Sequence, residues 1–204
     1  YILNDSHMAG MYGVLRPKSK IYPHTFLGGK DYAKEAAAMA VTVEQVEGEV
    51  IVKATIDNVN AGHALPTGMP FRHMILEVTA TADGQPMAQV AGPKVPDYGG
   101  EGDGAEDLAG RPGKGFARVL GDDTEARNVP FWRATREIED TRIGPAGSDT
   151  VELRFEPPEA GGAAKIDARL IYRRAFRKMV LERKWDSQGA VNDRVKDEVI
   201  NTAS

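Results

Sequence analysis

The sequence predicts an all-β fold, an immunoglobulin-like β-sandwich with extended N-terminal and C-terminal arms. Three observations carry that expectation. Short segments alternate apolar and polar residues along roughly seven or eight stretches, the count of a small sandwich. Turn residues separate them, 22 Gly and 12 Pro among 204 residues, which suits a loop-rich β protein better than a helical bundle. No sustained helical period or internal repeat competes. The chain divides into an arm with a short helix over residues 1–39, a sandwich over 40–185 and a tail over 186–204.

Residues 1–32 lack a sustained period and read as an arm that packs on a partner or a larger parent chain. A helical turn is expected from Tyr32 to Met39, where Ala, Lys and Glu collect. Ala40 to Val46 and Glu49 to Asp57 read as strands joined at Glu47-Gly48, a two-residue hairpin. In the second, Val50, Val52, Ala54 and Ile56 share one face. A further strand runs from His73 to Ala82, turns at Asp83-Gly84, and returns over Gln85 to Val90. The Gly- and Asp-rich stretch 91–115 reads as a solvated excursion, its carboxylates lacking the ordered spacing of a calcium loop. Phe116 to Leu120 is a short strand or turn, and Pro130-Phe131-Trp132 an anchored loop with Trp132 in the core. Val151 to Phe155 and Lys165 to Tyr172 complete the sandwich. A basic run, Arg173 to Lys184, faces solvent or an acidic partner, and the residues to Ser204 form an arm or helix.

Composition narrows the function classes. Hydrophobic residues make up 41 % and charged residues 27 %, the balance of a soluble globular domain. A net charge of −4 with no basic stripe argues against nucleic acid. No apolar run approaches the ~18 residues of a membrane span. Zero Cys excludes disulfides, thiolate metal sites and covalent c-type haem within these residues. No signal peptide is visible and the chain starts at Tyr1, so a mature or partial chain is expected. Enzyme signatures such as Gly-x-Ser-x-Gly, a phosphate-binding Gly-Lys-Ser/Thr or His-Glu-x-x-His are missing, so an enzyme is not the expectation.

The concentrated signal is a loop between two strands, Asn58 to Arg72, punctuated by Gly62, Pro66, Gly68 and Pro70 and carrying His63. A rigid loop raised on two strands is a fitting place for function. Its run Gly-His-x-Leu-Pro-Thr-Gly-x-Pro-x-Arg resembles the β-sandwich domain at the C-terminal end of certain multihaem c-type cytochromes. His24-Thr25-Phe26-Leu27-Gly28-Gly29 is similar to the His-x-Phe-x-Gly-Gly element preceding that domain. Asp140 to Ile143 and Leu170 to Arg174 are similar to its closing strands, so the resemblance spans roughly residues 7 to 185. The departure is the missing Cys-x-x-Cys-His.

That resemblance implies electron transfer in an extracytoplasmic protein complex, in the periplasm or at the cell surface. The partner is a multihaem cytochrome chain or subunit, and haem c is held by that chain or by a missing part of this one. His24 is implied as a distal axial ligand. His63 is a candidate for the same role or a brace of its own loop. His7, in Leu3-Asn4-Asp5-Ser6-His7, is a degenerate attachment motif, a ligand to a haem on another chain, or a tag residue. Arg72 suits a haem propionate or a carboxylate inside the loop, and Thr67 a cap of the turn. His73 reads as structural. Two other classes remain open: a haem-free adhesion or assembly module, and a copper or other metal site using His7, Met8, Met11 and His24.

Overall fold

Strand alternation decides this architecture, and the computed structural model describes it over residues 6–11, 15–16, 30–46, 48–124, 126–158, 162–187 and 196–204, with side chains from residue 33 onward. The chain forms two compact units, Tyr1–Asp31 and Tyr32–Ser204. In the first, β1 (Ser6–Met11) pairs antiparallel with β2 (Leu15–Arg16). The second unit is a β-sandwich of two antiparallel sheets.

Helix α1 (Lys30–Ala36) precedes β3 (Ala37–Val46). The helix thus ends before the expected Met39, because Ala37 to Met39 are taken up by pairing with Asn58 to Ile56; tertiary pairing overrides a weak helix propensity. Strand β4 (Glu49–Asn58) follows, with Val46 opposite Glu49 and Gly48 at φ 84° in the turn. Its residues Val50, Val52, Ala54 and Ile56 are all buried on the face the alternation assigns. β5 (His73–Ala82) turns at Asp83-Gly84, both at positive φ, as a tight hairpin demands.

The expected return strand is divided. β6 (Gln85–Pro86) pairs with β5, whereas β7 (Gln89–Ala91) crosses to the other sheet and pairs with β10 (Ser148–Phe155). The first pairing extends to the Met87 N–H, which donates to the Ala80 carbonyl at 2.9 Å before the chain crosses over. β8 (Gly113–Gly121) is longer than its sequence suggests and carries β9 (Arg136–Asp140) on its far side. β11 (Ala164–Arg173) lies along the whole of β5. α2 (Arg177–Glu182) follows, and the last residues, for which the sequence offers an arm or a helix, add β12 (Glu198–Ala203) to β11.

One sheet therefore runs β3-β4-β10-β7 and the other β12-β11-β5-β8-β9. The core between them is built from Val52, Ile56, Leu76, Phe116, Leu153, Phe155 and Leu170, all fully buried.

The stretch 91–115 is a correction. It does not float in solvent: Val95 and Leu108 bury against Ile75 and Ile171 on the outer face of the second sheet. Tyr98 joins Ala117, Val119, Phe176 and Met179 in a further cluster. Covering both faces of β5 explains its nearly continuous apolar sequence, which alternation alone cannot partition. Arg173 and Arg177 clamp the same stretch. Arg173 donates to the carbonyls of Gly99 and Glu106, both at 2.6 Å, and to Asp197 at 2.6 and 2.8 Å. Arg177 pairs with Glu106 at 3.0 Å and Asp107 at 3.3 Å. These two members of the basic run thus face acids of their own chain rather than solvent.

Trp132 is a second correction. It stands 57 % exposed, edge-to-face with exposed Phe131 at 5.1 Å. The turn beneath them is braced by Arg133 donating to Asp122 at 2.6 Å. The Thr124 hydroxyl and then Arg133 hold the Asp122 carboxyl down at about 2.

Candidate functional site

The loop from Val59 to Arg72 is anchored by a residue whose role the sequence does not reveal. Asn58, buried at the end of β4, donates through Nδ2 to the carbonyls of His63 (2.8 Å), Gly144 (2.9 Å) and Ile143 (3.3 Å). Its Oδ1 accepts from the Ala61 N–H at 3.1 Å. One amide thereby ties the loop to itself and to the start of the turn before β10. Leu65 adds a two-way backbone bridge to Ile143, 2.8 Å in each direction. Asn60 reaches back to the Glu35 carbonyl at 2.7 Å. The Leu65–Pro66 peptide is cis, and Gly68 sits at φ 90°. Thr67 is exposed and makes no capping bond among the described residues, so the brace is Asn58 instead.

His63 stands exposed on this frame. Its Nδ1 lies 3.2 Å from the Ala64 carbonyl oxygen. A carbonyl only accepts, so the proton of a neutral imidazole sits on Nδ1 and the lone pair on Nε2. Nε2 has no partner among the described residues. A ring oriented by its own Nδ1–H, with Nε2 turned away from the backbone, is the arrangement that metal-binding imidazoles use.

Arg72 closes the loop. Its backbone N–H donates to Met69 at 2.9 Å. Its side chain lies along Gly68, where a Cβ would come within 2.7 Å of Nη1. The positive φ of Gly68 is the conformation that favours a glycine there. The guanidinium pairs with no carboxylate among the described residues.

His73 begins β5 and is fully buried. It packs edge-on to Tyr98 at 5.3 Å and against Phe176 at 5.2 Å. Nδ1 donates to the Phe71 carbonyl at 3.2 Å, and Nε2 has no partner among the described residues. Burial, and after it the nearby Arg173 charge, push its pKa down to about 3. A neutral imidazole in an aromatic cluster is structural, as the sequence reading held.

His7 lies in β1 opposite Leu15 in the first unit. His24 falls outside the described residues, and with it the proposed His/Met metal site that depends on it. No helix of the described residues is long and apolar enough to cross a membrane.

A two-sheet sandwich with a raised, rigid histidine loop is the class of structure these observations define. The chain is similar to the crystal structure of a penta-heme cytochrome c552 from Thermochromatium tepidum, with a TM-score of 0.59 and 25 % sequence identity. The match covers 86 % of this chain and 41 % of that one, so the chain spans about two fifths of that protein's length. This likeness supports a fold related to multihaem cytochromes. No protein-family model and no curated protein matches the chain.

Proposed function

We propose that the chain is a β-sandwich component of a multihaem electron-transfer assembly outside the cytoplasm, in the periplasm or at the cell surface. In this reading it braces a haem-bearing polypeptide and contributes His63 as an axial ligand. The observation that carries it is the state of His63: exposed, oriented through Nδ1, with Nε2 open on a loop that Asn58 holds rigid. The donor set fits haem iron, which takes a neutral imidazole nitrogen as an axial ligand. Arg72, lacking a carboxylate among the described residues, supplies a planar fork suited to a propionate. His24 and His7 are further ligand candidates from the resemblance alone. Haem, when bound, supplies one-electron transfer; the chain's part is to orient the ligand and exclude water around it.

The absence of cysteine means haem c is held by a partner chain or by further sequence of this protein. A reduced-minus-oxidised visible spectrum of the protein purified with its native partners tests the reading, together with its intact mass. Sharp haem bands that shift in His63→Ala support it. Bands unchanged in His63→Ala remove His63 as a ligand. No bands at all leave a haem-free adhesion or assembly module.

A further inference from the structure

Among the described residues the two strand orders end on β3, β7, β9 and β12, and three of these edges are blunted. β7 is three residues long and its pairing with β10 shifts register between Arg154 and Phe155. β12 shifts register on β11 between Leu170 and Ile171, and its Glu198 pairs with Lys34 at 3.7 Å. β9 reads Arg-Glu-Ile-Glu-Asp, shifts register on β8, and carries ion pairs from Glu137 to Arg118 and from Glu139 to Arg127. Bulges, short length and charge are the devices that keep edges from pairing with other chains.

β3 is neither short nor bulged and is nearly uncharged. It runs ten residues with unbroken register from Ala37 opposite Asn58 to Val46 opposite Glu49. It contains no Pro and no Lys, and its one charge is Glu44. From Thr42 to Val46 the strand is exposed throughout, with Val43 at 49 % and Val46 at 43 %. Val43 lies across from Val52, which faces the core, so its exposure marks a part of the inner face that the second sheet does not cover.

The bonding phase of this edge follows from one contact. The Ala36 carbonyl accepts from the Val59 N–H at 3.0 Å, continuing the β3–β4 register by one pair. Bonded and non-bonded residues alternate in an antiparallel ladder. Thr42, Glu44 and Val46 therefore bond to β4, while Val41, Val43 and Gln45 point their N–H and C=O groups outward.

We infer that β3 is a dimerisation edge, pairing antiparallel with β3 of a second copy of this chain about a two-fold axis centred on Val43. In that register Val43 meets the partner's Val43, Val41 meets the partner's Gln45, and each such pair exchanges both of its backbone bonds. Ala40 falls opposite the partner's Val46, small against large. Glu44 falls opposite the partner's Thr42, so the lone charge of the strand never faces itself. Two four-stranded sheets become one continuous sheet, and the uncovered valines gain cross-strand neighbours.

Mass measurement by light scattering on the purified chain, over a concentration series, tests this. The expected result is a dimer. Val43→Lys places like charges at the axis, and Val43→Pro removes an outward N–H without taking a bond from β4. Each should raise the dissociation constant at least about tenfold while the circular dichroism spectrum is retained. Hydrogen exchange on the unmutated chain gives an independent reading: the Val43 and Gln45 amides should become protected as the dimer forms. A chain that stays monomeric, a dimer that survives Val43→Lys, or a dimer in which those two amides exchange freely would overturn the inference.

Discussion

His63 and His73 stand at the two ends of one connection and carry the same tautomer, yet they are opposite in chemistry. Each donates Nδ1–H to a nearby carbonyl, Ala64 for His63 and Phe71 for His73. Each leaves Nε2 without a partner among the described residues. For His63 that nitrogen belongs to an exposed ring on a braced loop. For His73 it is enclosed by Tyr98 and Phe176, where protonation would bury a charge. Identity and tautomer do not decide what a histidine does; the medium around the second nitrogen does.

The largest effect is expected at the buried end. Arg173 lies opposite His73 in the β5–β11 register and spends its fork on Asp197, Gly99 and Glu106. Arg173→Ala strands a carboxylate and two carbonyls, a loss of roughly 3–5 kcal/mol. Urea denaturation should show it as a lower midpoint. NMR titration should also find the His73 pKa raised, since a positive neighbour is gone.

Asn58 is the counterpart at the exposed end. Asn58→Ala unties Ala61, His63, Ile143 and Gly144 together. A buried network of this kind should cost about 2–3 kcal/mol, again read from denaturation. Asn58→Asp is a sharper variant, because a carboxylate cannot donate to three carbonyls and should fare no better than alanine.

Acid should reveal the burial of His73. His73 has a folded pKa near 3 against 6.5 for the free side chain, so the unfolded chain binds the proton first. The stability it contributes is complete above about 6.5 and is lost as pH falls from there towards 3. The slope is at most about 1.4 kcal/mol per pH unit. Stability measured against pH for the chain and for His73→Phe should diverge in that window, with the variant less acid-sensitive. Parallel curves would mean His73 is protonated in the fold.

Much of this was legible from residues alone, for reasons that differ by element. β4 and β10 alternate strictly because one face meets the core and the other meets solvent, so Val50 to Ile56 and Val151 to Phe155 announce themselves. β5 does not alternate cleanly, since the stretch 91–115 covers its outer face, and nothing local to Ile75 signals Val95 and Leu108. The Gly/Pro punctuation marked the His63 loop, and its two flanking strands made it rigid on paper. The brace was hidden: Asn58 reads as one more turn residue until Ile143 and Gly144 arrive from some 85 positions away. Trp132 misled for a related reason. Its size argues for burial, but the Asp122–Arg133 pair fixes a turn that turns it outward.

The smallest stability effect should come from the residue proposed as a ligand. His63 is exposed, its one hydrogen bond is to the adjacent Ala64 carbonyl, and Asn58 holds the loop without it. His63→Ala should therefore stay within about 0.5 kcal/mol of the unmutated chain, as surface substitutions do. If it instead destabilised as much as Asn58→Ala, the imidazole would be a structural member of the loop and the contrast with His73 would collapse. A near-neutral result combined with an altered haem spectrum in the assembled complex separates a binding residue from a structural one, because only the former changes function while leaving the fold untouched.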